Sequence, residues 1–332
     1  MEWMKYYVII SVLVVIAAVL LILFIREYCR RKNQENKVRD EVQTLQRLQR
    51  DAGSIYEQLF PVQLLTLLGI KKVTDMTTDV QQAFKTSVMS VNVLDFSNAI
   101  HTMSSQQLFS TINEVFARII PAITGSGGVI DNFQKAGLSA LYTDNGENAL
   151  TAAITMCESV DHLGTPEKYA GFSIGLCYGG VMLGIVGYRE RISVVSMSES
   201  VSLAEFLQEK AVKYGSRILV TENFSQCIPG FEKNYNSRFL GFFYDHIREQ
   251  AIRIFDVYDG DLPERKQSKR RTRMIFEQGV ECFVHGDYTD ARLHFVEVLK
   301  ADRNDLAARE YLYICDKCCN SADMGDICIE KF

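Results

Sequence analysis

The sequence predicts an α+β domain over residues 60–260, carried between an N-terminal transmembrane helix, 6–25, and a short helical hairpin, 274–319. Three observations point there. Tyr6 to Ile25 is an uncharged and almost wholly apolar run; between Pro61 and Asp259 short β-rich runs alternate with amphipathic stretches; and beyond the charged run Glu264 to Arg273, apolar and small residues recur at helical spacing. With 332 residues, 47% of them apolar, the chain can fill two cores besides an anchor.

The apolar run matches the roughly 20 residues a helix needs to cross the hydrocarbon core. A cleaved signal peptide would be shorter and end in small residues, whereas this run ends in Phe24-Ile25-Arg26-Glu27-Tyr28. Only Lys5 precedes it, while Arg26, Arg30, Arg31 and Lys32 follow, so the expected orientation puts the N-terminus outside and the main domain in the cytoplasm. Trp3, Tyr6, Tyr7 and Tyr28 sit where interfacial rings are usual, and Cys29 is read as an ordinary thiol, with acylation as the alternative. Nine cysteines, an odd number in a chain this long, suit reduced cytosolic thiols better than a disulfide framework. A net charge of -5 argues against nucleic acid as a partner.

Residues 33–59 read as a helical stalk, with Val38, Val42, Leu45, Leu48, Ala52, Ile55 and Leu59 forming one apolar stripe. The step from Leu45 to Leu48 breaks a strict heptad, leaving a short dimer stalk and packing on the chain's own domain as alternatives. Expected strands are Val88 to Leu94, Gly128 to Leu141, Gly171 to Tyr178, Val181 to Val186, Ile192 to Met197, Arg217 to Thr221 and Ala251 to Val257. Expected helices are Ser105 to Thr124, Asn145 to Leu163 and Val201 to Tyr214, with Asp79 to Phe84 a further candidate. Gly179-Gly180 reads as a hairpin turn and the run Glu264 to Arg273 as a boundary. Gly279, Phe283, Gly286, Asp287, Tyr288, Ala291, Phe295, Leu299, Asp305 and Ala308 fall at the spacing of one tetratricopeptide-like hairpin, which must cap the preceding domain or a twin; residues 320–332 form a tail.

Several segments, in order and at matching separations, carry a resemblance: Phe60-Pro61-Val62-Gln63-Leu64-Leu65, Gly127-Gly128-Val129-Ile130-Asp131-Asn132-Phe133, Ala149 to Met156, Ile174-Gly175-Leu176, Gly184-Ile185-Val186-Gly187, Val201-Ser202-Leu203-Ala204 and Tyr214 to Val220. From Leu59 to about Lys317 the chain resembles bacterial class III adenylate/guanylate cyclases with a membrane anchor and a tetratricopeptide-like tail. The resemblance implies the ferredoxin-like sheet of that family. It also implies a reaction needing two carboxylates that hold two divalent cations. Asp95 matches the first of these; the second falls on Ala136, and Lys135 replaces the glycine before it. Asp131, five residues back, is not expected to replace it. The family's transition-state Asn and Arg fall on Ser202 and Phe206, its purine-reading Lys and Asp/Thr on Asn132 and Val195, and its phosphate loop on His246-Ile247-Arg248, leaving Arg248 as the remaining charge. Glu199 and Asp131 keep acidic character without supplying a missing function.

The expectation is therefore a pseudoenzyme without a required cofactor: a membrane-tethered homodimer, or a heterodimer partner of another cyclase-like chain. The alternatives are an active adenylate or guanylate cyclase using Mg²⁺ or Mn²⁺, and an interaction module acting through its helical tail. Cys315, Cys318, Cys319 and Cys328 read as packing thiols, with soft-metal ligation as the alternative. The run Lys266, Lys269, Arg270, Arg271 and Arg273 reads as a solvated helix start, with anionic lipid contact as the alternative; the five histidines show no metal-ligand spacing.

Overall fold

The computed structural model describes residues 2–59, 62–72, 75–93, 96–134, 136–144, 146–162, 172–188, 191–245, 249–320 and 330–331; the side chains of 2–19, 52–59, 96–98, 245, 320 and 330–331 lie outside that description. Two units result, residues 1–60 and 61–332. The first is one helix, α1 (Glu2–Leu59). Residues 6–19 of the expected span are among those whose side chains are not described, and among the described residues no helix is long and apolar enough to cross a membrane. Farther along α1, Val38, Val42, Leu45 and Leu48 are all exposed.

The second unit runs α2 (Val62–Leu67), β1 (Gln81–Asn92), α3 (Phe96–Thr102), α4 (Ser105–Gly125), β2 (Val129–Gln134), β3 (Gly137–Tyr142), α5 (Glu147–Asp161), β4 (Ser173–Tyr188), β5 (Arg191–Met197), α6 (Glu199–Lys213), β6 (Ile218–Thr221), α7 (Glu222–Gln226), α8 (Phe231–Asn234), β7 (Ser237–Asp245), β8 (Gln250–Val257), α9 (Pro263–Val284), α10 (Tyr288–Ala301), α11 (Leu306–Asn320) and β9 (Glu330–Lys331). The sheet order is β2-β3-β1-β4-β6-β8-β7-β9, with β5 hung on β4. Most neighbours are antiparallel; β4 and β6 are parallel, joined by a crossover that includes α6.

Alternation along the strands builds the two faces. Met89, Val91, Leu138, Ala140, Ile174 and Leu176 turn toward α4 and α5, where Val115, Ile119, Ile123, Leu150, Ala153 and Met156 close the main core. α4 starts with a capping box: the Gln107 N–H donates to Ser104 Oγ (3.3 Å) and the Ser104 N–H to Gln107 Oε1 (2.9 Å). The opposite face is covered by α6, whose approach requires Gly175, since a Cβ there would run into the Ala204 carbonyl.

Four sequence expectations change. Asp79 to Phe84 is not helical, because residues 81–84 extend β1 against β4, pairing Gln81 with Gly184. Gly179-Gly180 is no turn either. β4 runs straight through it, pairing Gly179 with Thr86 and Gly180 with Lys85, and a side chain at Gly179 would collide with Ser200. The run Gly128 to Leu141 divides into a β2–β3 hairpin, and β7 was not anticipated at all. Finally, the charged run is no boundary: it forms the first half of α9, and Lys269 within it is 4% exposed rather than solvated.

α9, α10 and α11 pack on one another through buried aromatic rings, with Phe295 and Tyr311 stacked at 4.8 Å and Phe276 edge-on to Phe295 at 5.7 Å. A Cβ at Gly279 would sit 3.0 Å from that of His294, so glycine sets the α9–α10 approach. α9, α11 and the α10–α11 loop hold this unit on β7. Arg238, fully buried, donates to Asp256 Oδ2 (3.0 Å) and to Asp305 Oδ2 (2.6 Å), and stacks over Phe276 at 4.2 Å. Burial alone would lower the Arg238 pKa, but Asp305 and Asp256 hold it above its usual value. The Phe239 N–H donates to Glu277 Oε1 (2.8 Å), and the Tyr311 hydroxyl donates to the Leu240 carbonyl.

Candidate functional site

The β2–β3 turn is held against the end of β1 by a backbone hydrogen bond from the Val93 N–H to the Ala136 carbonyl, 2.7 Å long. That bond brings position 136 beside the chain segment leading to Asp95. Asp95 and Lys135 lie outside the described residues. Ala136 is 4% exposed, so a buried methyl occupies the place where the resemblance expects the second metal carboxylate.

Asp131 sits at a β-bulge between Ile130 and Asn132, and its side chain is buried. Its Oδ2 accepts hydrogen bonds from Ser139 Oγ (3.2 Å) and from Ser196 Oγ. Burial pushes the carboxyl above its usual range, and the two serine bonds pull it only partly back. So engaged, Oδ2 of Asp131 ties β2 to β3 and β5 as a structural group. The Ser196 bond ties β2 to β5 at the residues next to Asn132 and Val195. These two purine-type positions lie on strands that do not pair but that this bond draws together, Asn132 exposed and Val195 half-buried. An uncharged amide and a branched alkyl group cannot reproduce the paired Lys and Asp/Thr that the resemblance calls for.

α6 carries the remaining positions. Ser198 caps it, accepting from the Val201 N–H (3.1 Å), and Ser202 is exposed, its hydroxyl 3.5 Å from the Ser198 carbonyl. Phe206 meets Phe243 of β7 edge-on at 5.4 Å, under the Lys210 ammonium at 5.1 Å. This position has therefore become a packing residue. The neighbouring Glu205 accepts from Gln134 Nε2 (2.6 Å), joining α6 to β2; burial raises its carboxyl pKa against that bond. Arg248 lies outside the described residues. Glu199 lines a cavity of about 310 Å³ with Gly179, Ser200, Thr221 and Gln250; no Lys or Arg is among its described lining residues, so they do not form a triphosphate cradle.

Among the described residues no group of three or more His, Cys, Asp or Glu converges to hold a metal ion. Among the described residues the donor set does not fit two catalytic cations, since Ala136 brings no side-chain oxygen and Oδ2 of Asp131 is engaged by two serines. Cys315 and Cys318 are buried, and burial pushes the Cys315 thiol up to about 12 and the Cys318 thiol up as well, as expected of packing residues. Cys328 lies outside the described residues.

No protein-family model matches the chain. Among curated proteins, it is 23% identical over 283 residues to the terminal-differentiation-specific adenylate cyclase of Dictyostelium discoideum, covering 82% of this chain and 13% of that protein. It is 24% identical over 180 residues to an adenylate cyclase of Anabaena cylindrica, covering 51% of this chain and 36% of the relative. The chain therefore spans well under half the length of either. A bacterial light-regulated adenylyl cyclase superposes with a TM-score of 0.57 at 17% identity, 70% of each chain being covered. The mixed α/β fold is that of a class III nucleotide cyclase domain.

Proposed function

We propose that this chain is a degenerate class III nucleotide cyclase homologue, membrane-tethered and without useful turnover, that acts as a dimeric regulatory or scaffolding component in intracellular signalling. The observation that carries this reading is Ala136: the turn that should present a metal carboxylate is held in place by the Val93 hydrogen bond, yet it presents a buried methyl. Positioning without the ligand forfeits the electrostatic stabilisation that drives phosphoryl chemistry, commonly of order 10²–10³ in rate for a single lost donor. Phe206 supports the same reading. Its ring is engaged with Phe243, and it offers no donor to a developing phosphate charge.

Membrane tethering rests on the apolar run Tyr6 to Ile25 and on the arginines and lysine that follow it, which favour a cytoplasmic domain. Dimerisation is supported by the exposed stripe on α1 and by exposed Met182, Val186, Tyr188 and Met197 on the β4–β5 hairpin. The partner is a second copy or another cyclase-like chain. In a heterodimer this chain would supply neither the complete metal pair nor the Asn/Arg pair, and so would act as the regulatory half. The helical tail belongs to the domain through Arg238, which favours a structural role for it over a separate capture module.

A second reading, an active cyclase, draws on the retained Asp95 and on the adenylate cyclases among the relatives. The deciding experiment is cyclic-nucleotide production from ATP and from GTP, with Mg²⁺ and with Mn²⁺, by the full chain beside its Asp95→Ala variant. The expected result is no product above background from either. Product that disappears in the variant would establish the active reading instead.

A further inference from the structure

We propose that the crevice where the helical tail meets the sheet is a binding site for a small phosphate-bearing molecule. A cavity of about 520 Å³ opens there, within the usual size range of small-molecule sites. Arg238 and Lys269, both buried, lie at its base, Arg265 and Arg271 stand exposed along α9, and the α10–α11 loop supplies Asp302 and Asp305.

The sign of the ligand follows from which charges are already engaged. Asp302 accepts from Ser268 Oγ (2.7 Å) and from the Asn304 N–H (2.9 Å). Asp305 holds Arg238 and accepts from the Ala308 N–H (3.1 Å). The cations keep donors in hand. Among the described residues Arg265 has no hydrogen bond or ion pair, and Arg271 commits one N–H, to the Ala301 carbonyl at 2.8 Å. The buried Lys269 ammonium is instead paired with Asp256 and Asp261 at 2.9 and 2.7 Å, which leaves the two exposed arginines as the available cations. A guanidinium carries five donors in a planar fork that suits phosphate oxygens. Glu264 also lines the cavity and opposes an anion, so its removal should tighten binding.

A bound phosphate would bridge α9 to the α10–α11 loop beside the charges that fix the tail on β7. The site is independent of the purine-type positions, and its existence does not depend on whether the chain turns over a nucleotide.

The test is calorimetric titration of the full chain in detergent with inorganic tripolyphosphate. We expect one binding event that weakens at least tenfold in Arg265→Gln/Arg271→Gln and tightens severalfold in Glu264→Gln. A charge-matched control, Arg118→Gln/Arg191→Gln, alters exposed arginines on α4 and β5 and should leave the affinity unchanged. No binding at millimolar probe, an affinity indifferent to the Arg265/Arg271 pair, or equal weakening in the control would overturn the proposal.

Discussion

Replacing Arg238 by Met should loosen the helical tail from the sheet at a cost of roughly 3–5 kcal/mol, the usual penalty for breaking a buried ion pair by removing one partner. The size follows from what is left behind. Asp256 keeps its Lys269 contact at 2.9 Å, but Asp305, 5% exposed, would retain only the Ala308 N–H. Methionine keeps some packing on Phe276, so the stranded Asp305 charge is the main loss. Burial alone would raise the Asp305 pKa, but Arg238 brings it below the ordinary value. Its contribution is therefore fully present above the unfolded carboxylate pKa of about 3.9 and fades as pH falls through the lower folded value. Urea unfolding of the full chain in detergent, followed by circular dichroism and by proteolysis within α9–α11, should show the full deficit at pH 7 and a smaller one only once pH falls below about 3.9. Arg238→Met/Asp305→Asn should recover part of it. A deficit below about 1 kcal/mol at pH 7, or one independent of pH, would refute the assignment of Asp305 as the stranded charge.

Deleting Met274 to Phe332 cuts α9 in half and strips Phe276, Asp305 and Tyr311 from the sheet, so the truncated chain should be recovered as aggregate, which soluble yield would show. Asp131→Asn should be neutral or stabilising at pH 7. A carboxyl whose folded pKa is raised loses stability as pH climbs from the unfolded to the folded value, so the gain in melting temperature should shrink toward pH 4. Phe206→Ala, which removes the edge-on contact with Phe243, should cost roughly 2 kcal/mol in denaturant titrations and leave the background nucleotide turnover unchanged. Ala136→Asp places a carboxylate at a buried position and should lower the melting temperature, with Mn²⁺ restoring part of the loss if Asp95 can share the ion.

What could be read in advance divides along a physical line. Helices α4, α5 and α6 were legible because their apolar stripes are local. β4 was misread because Gly179 answers to α6, whose serine at position 200 needs the space, and nothing near Gly179 in sequence says so. β7 escaped because its first residues include the buried Arg238, which makes sense only beside Asp305, 67 positions away. At the candidate site, positions 136, 202 and 206 could be assigned by matching segments. The link from Asp131 to Ser196, 65 residues apart, could not, because it depends on how β2 and β5 meet in space.

β7 flanks the sheet on the side where a further strand could add, and the chain addresses that edge twice. Glu277 and Tyr311 occupy the Phe239 N–H and the Leu240 carbonyl, and β9 lies parallel along Phe243 and Tyr244. Unpaired edge groups are templates for uncontrolled strand addition. With this margin closed, copies of the chain are discouraged from growing end to end through their sheets. Association is left to other surfaces, where a closed pair rather than an open filament can form.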